Sequence, residues 1–238
     1  MEKKYTYEDF LEIIRALRSE NGCPWDREQT HQSLRPCLME EAAEVIAAIR
    51  IFDQTGNPAN LKEELGDVLL QVVMHAQIAA EEGLFSMEDV VQDVAEKMVR
   101  RHPHVFGDVE ASTSGQVLEN WEEIKKKEKE KQAWVESPLR EVPPELPALT
   151  RAPKVLKKAD KHYGYRSTYE EDMDKLEQAL HQLRAQTPKE YDEEIEKQVG
   201  NILMAVSDIS RLCKLSQEQI LTDKIADLIE LCEGKAEK

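Results

Sequence analysis

Glu40-Glu41-Ala42-Ala43-Glu44 and Glu64-Leu65-Gly66-Asp67 place five carboxylates inside runs that are otherwise apolar and helical in pattern. Charges taken out of water need a partner or a metal. Oxygen donors with no cysteine or histidine beside them suit a hard cation, so the chemistry that these residues could do is that of a Mg²⁺ cage. At about 3.6 residues per turn, Glu40 and Glu44 share a helix face and Glu41 lies about 100° round. Glu64 and Asp67 form an i, i+3 pair on the next helix. The other reading of Glu40, Glu41 and Glu63 is solvated charge on a helix face, the usual fate of glutamate in a chain that is 34% charged. Against it stand the flanks Leu38-Met39 and Val68-Leu69-Leu70-Gln71-Val72-Val73, too apolar for an exposed helix.

The elements that must position these groups follow from periodicity and breakers. Asp9 to Arg18 reads as an amphipathic helix, broken by Asn21-Gly22 and Pro24. Leu34 to Ile51 and Leu61 to about Glu82 are the two carboxylate-bearing helices. Asp53-Gln54-Thr55-Gly56-Asn57-Pro58 joins them, short enough to make them antiparallel neighbours. Ser86, with Asp89 three residues on, opens a fourth helix that runs to Arg101 and stops at His102-Pro103. After a polar segment holding Ser112 to Gly115, a charged helix covers Val117 to about Gln132. Pro138, Pro143, Pro144 and Pro147 mark a linker.

With 238 residues the chain holds one large or two small domains, and its low aromatic content, 9 Gly and 10 Pro favour an all-α fold. The start has no signal-peptide pattern and no apolar run reaches membrane-spanning length, so a cytoplasmic protein with no membrane partner is expected. Cys23, Cys37, Cys213 and Cys232 form no CxxC pair, which points away from a zinc ribbon or a disulfide framework. A net charge of −16 repels nucleic acid and obliges any polyphosphate site to combine a metal with a local basic cluster, for which Lys97, Arg100 and Arg101 are the candidates.

The same residues carry a family resemblance. Glu40-Glu41-x-x-Glu44 followed by Glu64-x-x-Asp67 resembles the metal signature of the MazG-type all-α nucleoside triphosphate pyrophosphohydrolases. The likeness continues through Gly22-Cys23-Pro24-Trp25-Asp26-x-x-Gln29-Thr30-His31-x-Ser33-Leu34 and Lys97-x-x-Arg100-Arg101-His102-Pro103-His104-Val105-Phe106. It implies cleavage of a nucleoside triphosphate between the α and β phosphates to monophosphate and pyrophosphate, with Glu40, Glu41, Glu44, Glu64 and Asp67 holding Mg²⁺. Glu41, off the Glu40 and Glu44 line, is the first candidate for general base. Lys97, Arg100 and Arg101 would bind β and γ phosphates; the plain alternative is a basic helix end complementing the dipole. His102 and His104 either add donors or cap that helix. Trp25 and Trp121 either stack on the base or serve as core. Asp26, Gln29 and His31 either edge the pocket or fix the loop. The resemblance further implies a homodimer in which helices of both chains complete a bundle around each site.

Residues 1–132 are then a catalytic helical unit, 133–147 a Pro-rich linker and 148–238 a related, degenerate second unit. Val199-Gly200-Asn201-Ile202-Leu203 parallels Leu65-Gly66-Asp67-Val68-Leu69. Gln198 and Asn201 stand where Glu64 and Asp67 do, while Glu177, Gln178 and His181 stand for Glu40, Glu41 and Glu44. Amides bring no charge to offset a divalent ion, so the second unit reads as a pseudo-site with a structural role or a binding role. Two other functions compete. A di-iron carboxylate bundle needs two Glu-x-x-His elements, and the chain has one, Glu28-Gln29-Thr30-His31. A non-enzymatic acidic interaction protein is opposed by the full set of charges that the first unit keeps.

Overall fold

The computed structural model describes residues 3–129, 137–186 and 192–236, and every regular element among them is an α-helix. The chain divides into two compact units, 1–127 and 128–238. No helix among the described residues is long and apolar enough to cross a membrane.

In the first unit, α1 (Tyr7–Arg18) begins earlier than its apolar pattern because Thr6 caps it. The Asp9 amide donates to Thr6 Oγ1 at 3.2 Å and the Thr6 amide donates to Asp9 Oδ2 at 3.0 Å, a reciprocal box that satisfies two otherwise orphaned donors. Behind α1 the chain folds sharply back, with the Cys23 amide donating to the Leu17 carbonyl at 2.8 Å. A β-carbon on Gly22 would sit 2.2 Å from that carbonyl oxygen, so the turn admits only glycine. Pro24 then opens a short helix α2 (Pro24–Glu28) rather than merely breaking the chain, since at the first helical position its missing N–H removes no bond.

The two long helices are α3 (Arg35–Thr55) and α4 (Ala59–Glu81). Gly56 separates them in the left-handed conformation at φ 69°, where an L side chain would be strained. α5 (Met87–Arg101) starts on a second capping box, Ser86 with Asp89. α6 (Pro103–Phe106) and α7 (Ser114–Lys129) follow. The expected continuation of α7 to 132 and the first part of the expected linker, 133–136, lie outside the described residues. Of the rest of that stretch, Val142 is buried and Glu141 is ion-paired with Lys158.

The core of the first unit is built from Ile14, Leu34, Val73, Met74 and Ile78, with Phe10, Leu17, Cys37, Leu70 and Met87 packed round it. It therefore lies on the C-terminal half of α4, immediately beyond Glu64 and Asp67. One polar clasp holds its rim. Arg18, with a side chain only 5% exposed, donates to both oxygens of Glu81 at 2.7 and 3.0 Å and to the carbonyls of Asp26 and Gln29, tying α1 and the α2 turn to α4.

The second unit contains α8 (Ala148–Tyr163), α9 (Tyr169–Arg184), α10 (Glu193–Leu212) and α11 (Gln217–Ala236), with α10 packed on both α8 and α9. Thr168 and Glu171 repeat the capping box at α9. Buried Gln217 bonds the Leu149 carbonyl at 2.5 Å and Ser207 Oγ at 3.0 Å, locking α11 to its neighbours.

Replacing Arg18 with Ala should cost about 2–3 kcal/mol, since it strands two carbonyls and a carboxylate, and Glu81→Gln should cost less. The hydrogen bonds from Arg18 hold the Glu81 carboxyl below its ordinary value of 4.5. Its stabilisation is thus complete above that value and lost as pH falls through the lowered one. Urea unfolding at neutral pH and near pH 3 should show the wild-type advantage over Glu81→Gln shrinking in acid.

Candidate metal centre

Glu41 of α3 and Glu64 and Asp67 of α4 are half-buried, and one oxygen from each lies within 4.8 Å of the others. Oxygens sharing one octahedral Mg²⁺ stand about 3 to 4 Å apart, so small side-chain rotations would complete such a set. The antiparallel turn at Gly56 produces this convergence, bringing the start of α3 against the second and third turns of α4. Asn60 Nδ2 donates to Glu64 Oε1 at 2.7 Å and aims that carboxylate. The sequence reading missed Asn60, although its i, i+4 spacing to Glu64 was the available signal.

Glu44 borders the trio. Desolvation first, then the negative charges of Glu64, Glu41 and Glu40 and a side-chain contact with Glu64, push its carboxyl above the usual range. Glu40 is exposed, as is Glu44. So of the five carboxylates expected in one cage, three converge, Glu44 touches them, and Glu40 acts on them only through its field. The inference that apolar flanks bury this region holds for Val68 to Val73 apart from Leu69, but not for Leu38-Met39. Leu38, Met39 and Leu69 are exposed, as are Ile46, Ile49 and Leu65, and a β-carbon on Gly66 would meet nothing.

α5, which packs on α4, carries the basic cluster at its C-terminal end. Lys97 and Arg101 are half-buried and Arg100 is exposed. The Arg101 guanidinium lies over the Trp121 ring at 5.5 Å and Lys125 Nζ at 5.0 Å, so the indole is engaged by two cations. His102 Nδ1 is 2.7 Å from the Met98 carbonyl, which makes it a helix-end group, and His104 carries a buried Nδ1 with no hydrogen-bond partner. Trp25 is 61% exposed on α2, an element that packs on α1.

The polar residues before α3 act on the loop. Ser33 Oγ donates to Gln29 Oε1 at 2.7 Å, and Gln29 Nε2 donates to the Trp25 carbonyl at 3.0 Å. His31 stacks on His75 of α4 with Nδ1 atoms 2.8 Å apart. Burial, then the charge of His31, lowers the pKa of His75, a residue with no motif to single it out in the sequence.

Comparison with known proteins agrees with this arrangement. Residues 29–106 match the family described as MazG nucleotide pyrophosphohydrolase domain. The chain is 40% identical over 225 residues to the nucleoside triphosphate pyrophosphohydrolase/pyrophosphatase MazG of Thermotoga maritima, covering 94% of this chain and 83% of that protein. It is 38% identical over 204 residues to the nucleoside triphosphate pyrophosphohydrolase of Escherichia coli, covering 84% and 76%. To the uncharacterized protein YabN of Bacillus subtilis it is 41% identical over 227 residues, which is 93% of this chain but 45% of that one.

Because Glu44 is raised above its ordinary 4.5, folding takes up a proton there, and stability falls as pH climbs through the interval above that value. In EDTA, Glu44→Gln should therefore melt at a higher temperature than wild type at neutral pH, and the gap should close near pH 4. Thermal melts across that range check it.

Proposed function

This chain belongs to the MazG family of nucleotide pyrophosphohydrolases, and from that premise we propose that it hydrolyses nucleoside triphosphates between the α and β phosphates, with Mg²⁺, at a site in its first unit. The observation that carries the reading is the convergence of Glu41, Glu64 and Asp67 inside the segment that matches the family.

Glu41, Glu64 and Asp67, flanked by Glu40 and Glu44, would hold the ion, which when bound supplies charge neutralisation on the phosphates and a more acidic water. Lys97, Arg100 and Arg101 bind the β and γ oxygens, where a planar guanidinium offers paired donors and an ammonium a compact charge. Trp121, fixed under Arg101 and Lys125, orients that cluster and offers an apolar surface to the base, and Trp25 offers a second, more exposed one. Glu41 is the proposed general base.

A second copy of the chain covers the exposed apolar face. Met39, Ile46 and Ile49 on α3, Leu65 and Leu69 on α4, and Val91, Val94 and Met98 on α5 are exposed at helical spacing, an array that a lone soluble chain rarely leaves open. Dimerisation through it supplies the burial that the sequence pattern demands and closes the carboxylates off from bulk water. Residues 148–238 form the degenerate counterpart, in which Gln198 and Asn201 replace Glu64 and Asp67, so that one site works per chain.

Incubation with a nucleoside triphosphate and Mg²⁺ should yield monophosphate and pyrophosphate, and release of a nucleoside diphosphate with orthophosphate would overturn the cleavage position. Glu41→Gln and Asp67→Asn should each lower kcat by roughly 10²–10³ or more while helix content persists. Arg101→Ala should weaken triphosphate binding about tenfold more than monophosphate binding, since a charged hydrogen bond is worth about 1.5–3 kcal/mol and the monophosphate has no β or γ oxygen to lose it from. Ile46→Asp should convert dimer to monomer in sedimentation velocity and take activity with it.

A further inference from the structure

Within the second unit, α8, α9 and α10 enclose a cavity of about 480 Å³, within the range of small-molecule sites. Its deepest polar group is Asp172, 1% exposed, whose Oδ1 accepts from Ser167 Oγ at 2.6 Å and Lys175 Nζ at 2.8 Å. Asp172 Oδ2 is buried and has no hydrogen-bond partner. Burial, the largest influence, opposes ionisation here, but the bonds from Lys175 and Ser167, the Lys175 charge and a side-chain contact with the Asp208 carboxyl together outweigh it and leave the carboxyl below its ordinary value. An ionised, unpartnered oxygen in a cavity wall costs stability unless a donor arrives.

Charge narrows the class of donor. Asp208 faces the same carboxyl from α10 and is itself held by Arg211 Nε at 2.5 Å. The two aspartates are thus each matched by a cation, which leaves little drive to bind a charged amine. Polyphosphate is disfavoured as well. Lys175 is committed to Asp172 and Ser167, and Lys197 pairs with Glu194 at 3.6 Å, so a phosphate would have to break an existing pair. What the walls otherwise offer is amide: Gln178 and Gln182, with Gln198 and Asn201, which are bonded to each other and to Glu194 but keep further donor and acceptor capacity. Ala179, Ala205 and Leu156 give the lining an apolar part, and Tyr165 contributes to it as well. Neutral amides, apolar side chains and a buried acceptor suit an uncharged heterocycle bearing an amino group.

We propose that the second unit binds a nucleoside or free nucleobase, without its phosphate chain, through an amino donor on Asp172 Oδ2 and ring-edge bonds to the cavity amides. The loss of carboxylates at positions 198 and 201 then marks a change of ligand, from a metal-bound phosphate chain to a neutral base.

The proposal is separable from the first unit's chemistry. Full-length Glu41→Gln protein in EDTA is titrated with adenosine, guanosine, cytidine, uridine and ATP by calorimetry, with oligomeric state followed in parallel. At least one amino-bearing nucleoside should bind at one site per chain, at least tenfold more tightly than uridine or ATP. Asn201→Trp, an exposed position that would plug the mouth, and Asp172→Asn should each weaken that binding at least tenfold, so a folding defect in the buried variant leaves the exposed one as the test. Absence of binding by all four nucleosides, tighter binding of ATP, or binding indifferent to Asn201→Trp would overturn the proposal. So would a change of oligomeric state in Asn201→Trp with no nucleoside bound, which would assign the cavity to a second copy of the chain.

Discussion

Like charge held at close range organises the first unit. Glu41, Glu64 and Asp67 meet within 4.8 Å with Glu44 against them, and after desolvation the negative charges of Glu64, Glu41 and Glu40 raise the proton affinity of Glu44. Such an array persists only because the core beneath it, from Leu34 and Cys37 to Leu70 and Met74, fixes the two helices regardless of what their next turns carry. Hydrophobic burial thus holds in place an electrostatic arrangement that α3 and α4 on their own would relax by splaying. That is the condition for pre-organised charge: the cost of assembling it is met during folding rather than at the moment of binding.

The rest of the unit can be understood as fixing that geometry. Gly22 and the Arg18 clasp lock the entry to α3 against the far end of α4, while the His31 and His75 stack ties the loop before α3 to the middle of α4. A register error of one residue between α3 and α4 would turn the carboxylates away from one another, and these contacts bracket the pair on the side opposite Gly56. The basic cluster is braced on α7, with Arg101 and Lys125 against the Trp121 ring.

Much of this was legible in the residues. Periodicity and breakers located the long helices to within a few positions, because capping boxes and a glycine after a helix are local signals. The i, i+3 spacing foresaw Glu64 with Asp67, and the short connection foresaw their meeting with Glu41, whereas the i, i+4 pair of Glu40 and Glu44 stays outside the convergent trio. What stayed hidden depended on three-dimensional context. α2 was taken for a break because a proline ends one helix and begins another with the same residue. The exposure of Leu38, Met39 and Leu69 was missed because an apolar stripe says that a surface is to be covered, not which chain covers it. His75 and Asp172 have no motif, and their environments arise only from packing against distant elements.

In the second unit, Glu194 Oε1 accepts from Gln198 Nε2 at 2.5 Å, and Gln198 Oε1 accepts from Asn201 Nδ2 at 3.2 Å. This ladder keeps Gln198 bonded within the protein at 3% exposure. The two halves of the chain therefore answer to different surroundings at this position: amides pair with one another in the second unit, while carboxylates set against one another in the first make its stability sensitive to the counter-ions of the electrolyte. A single melting temperature is then a property of the chain together with its salt. In calorimetry the separation between two heat-absorption peaks would act as a gauge of divalent-ion activity, with the second unit as the built-in reference.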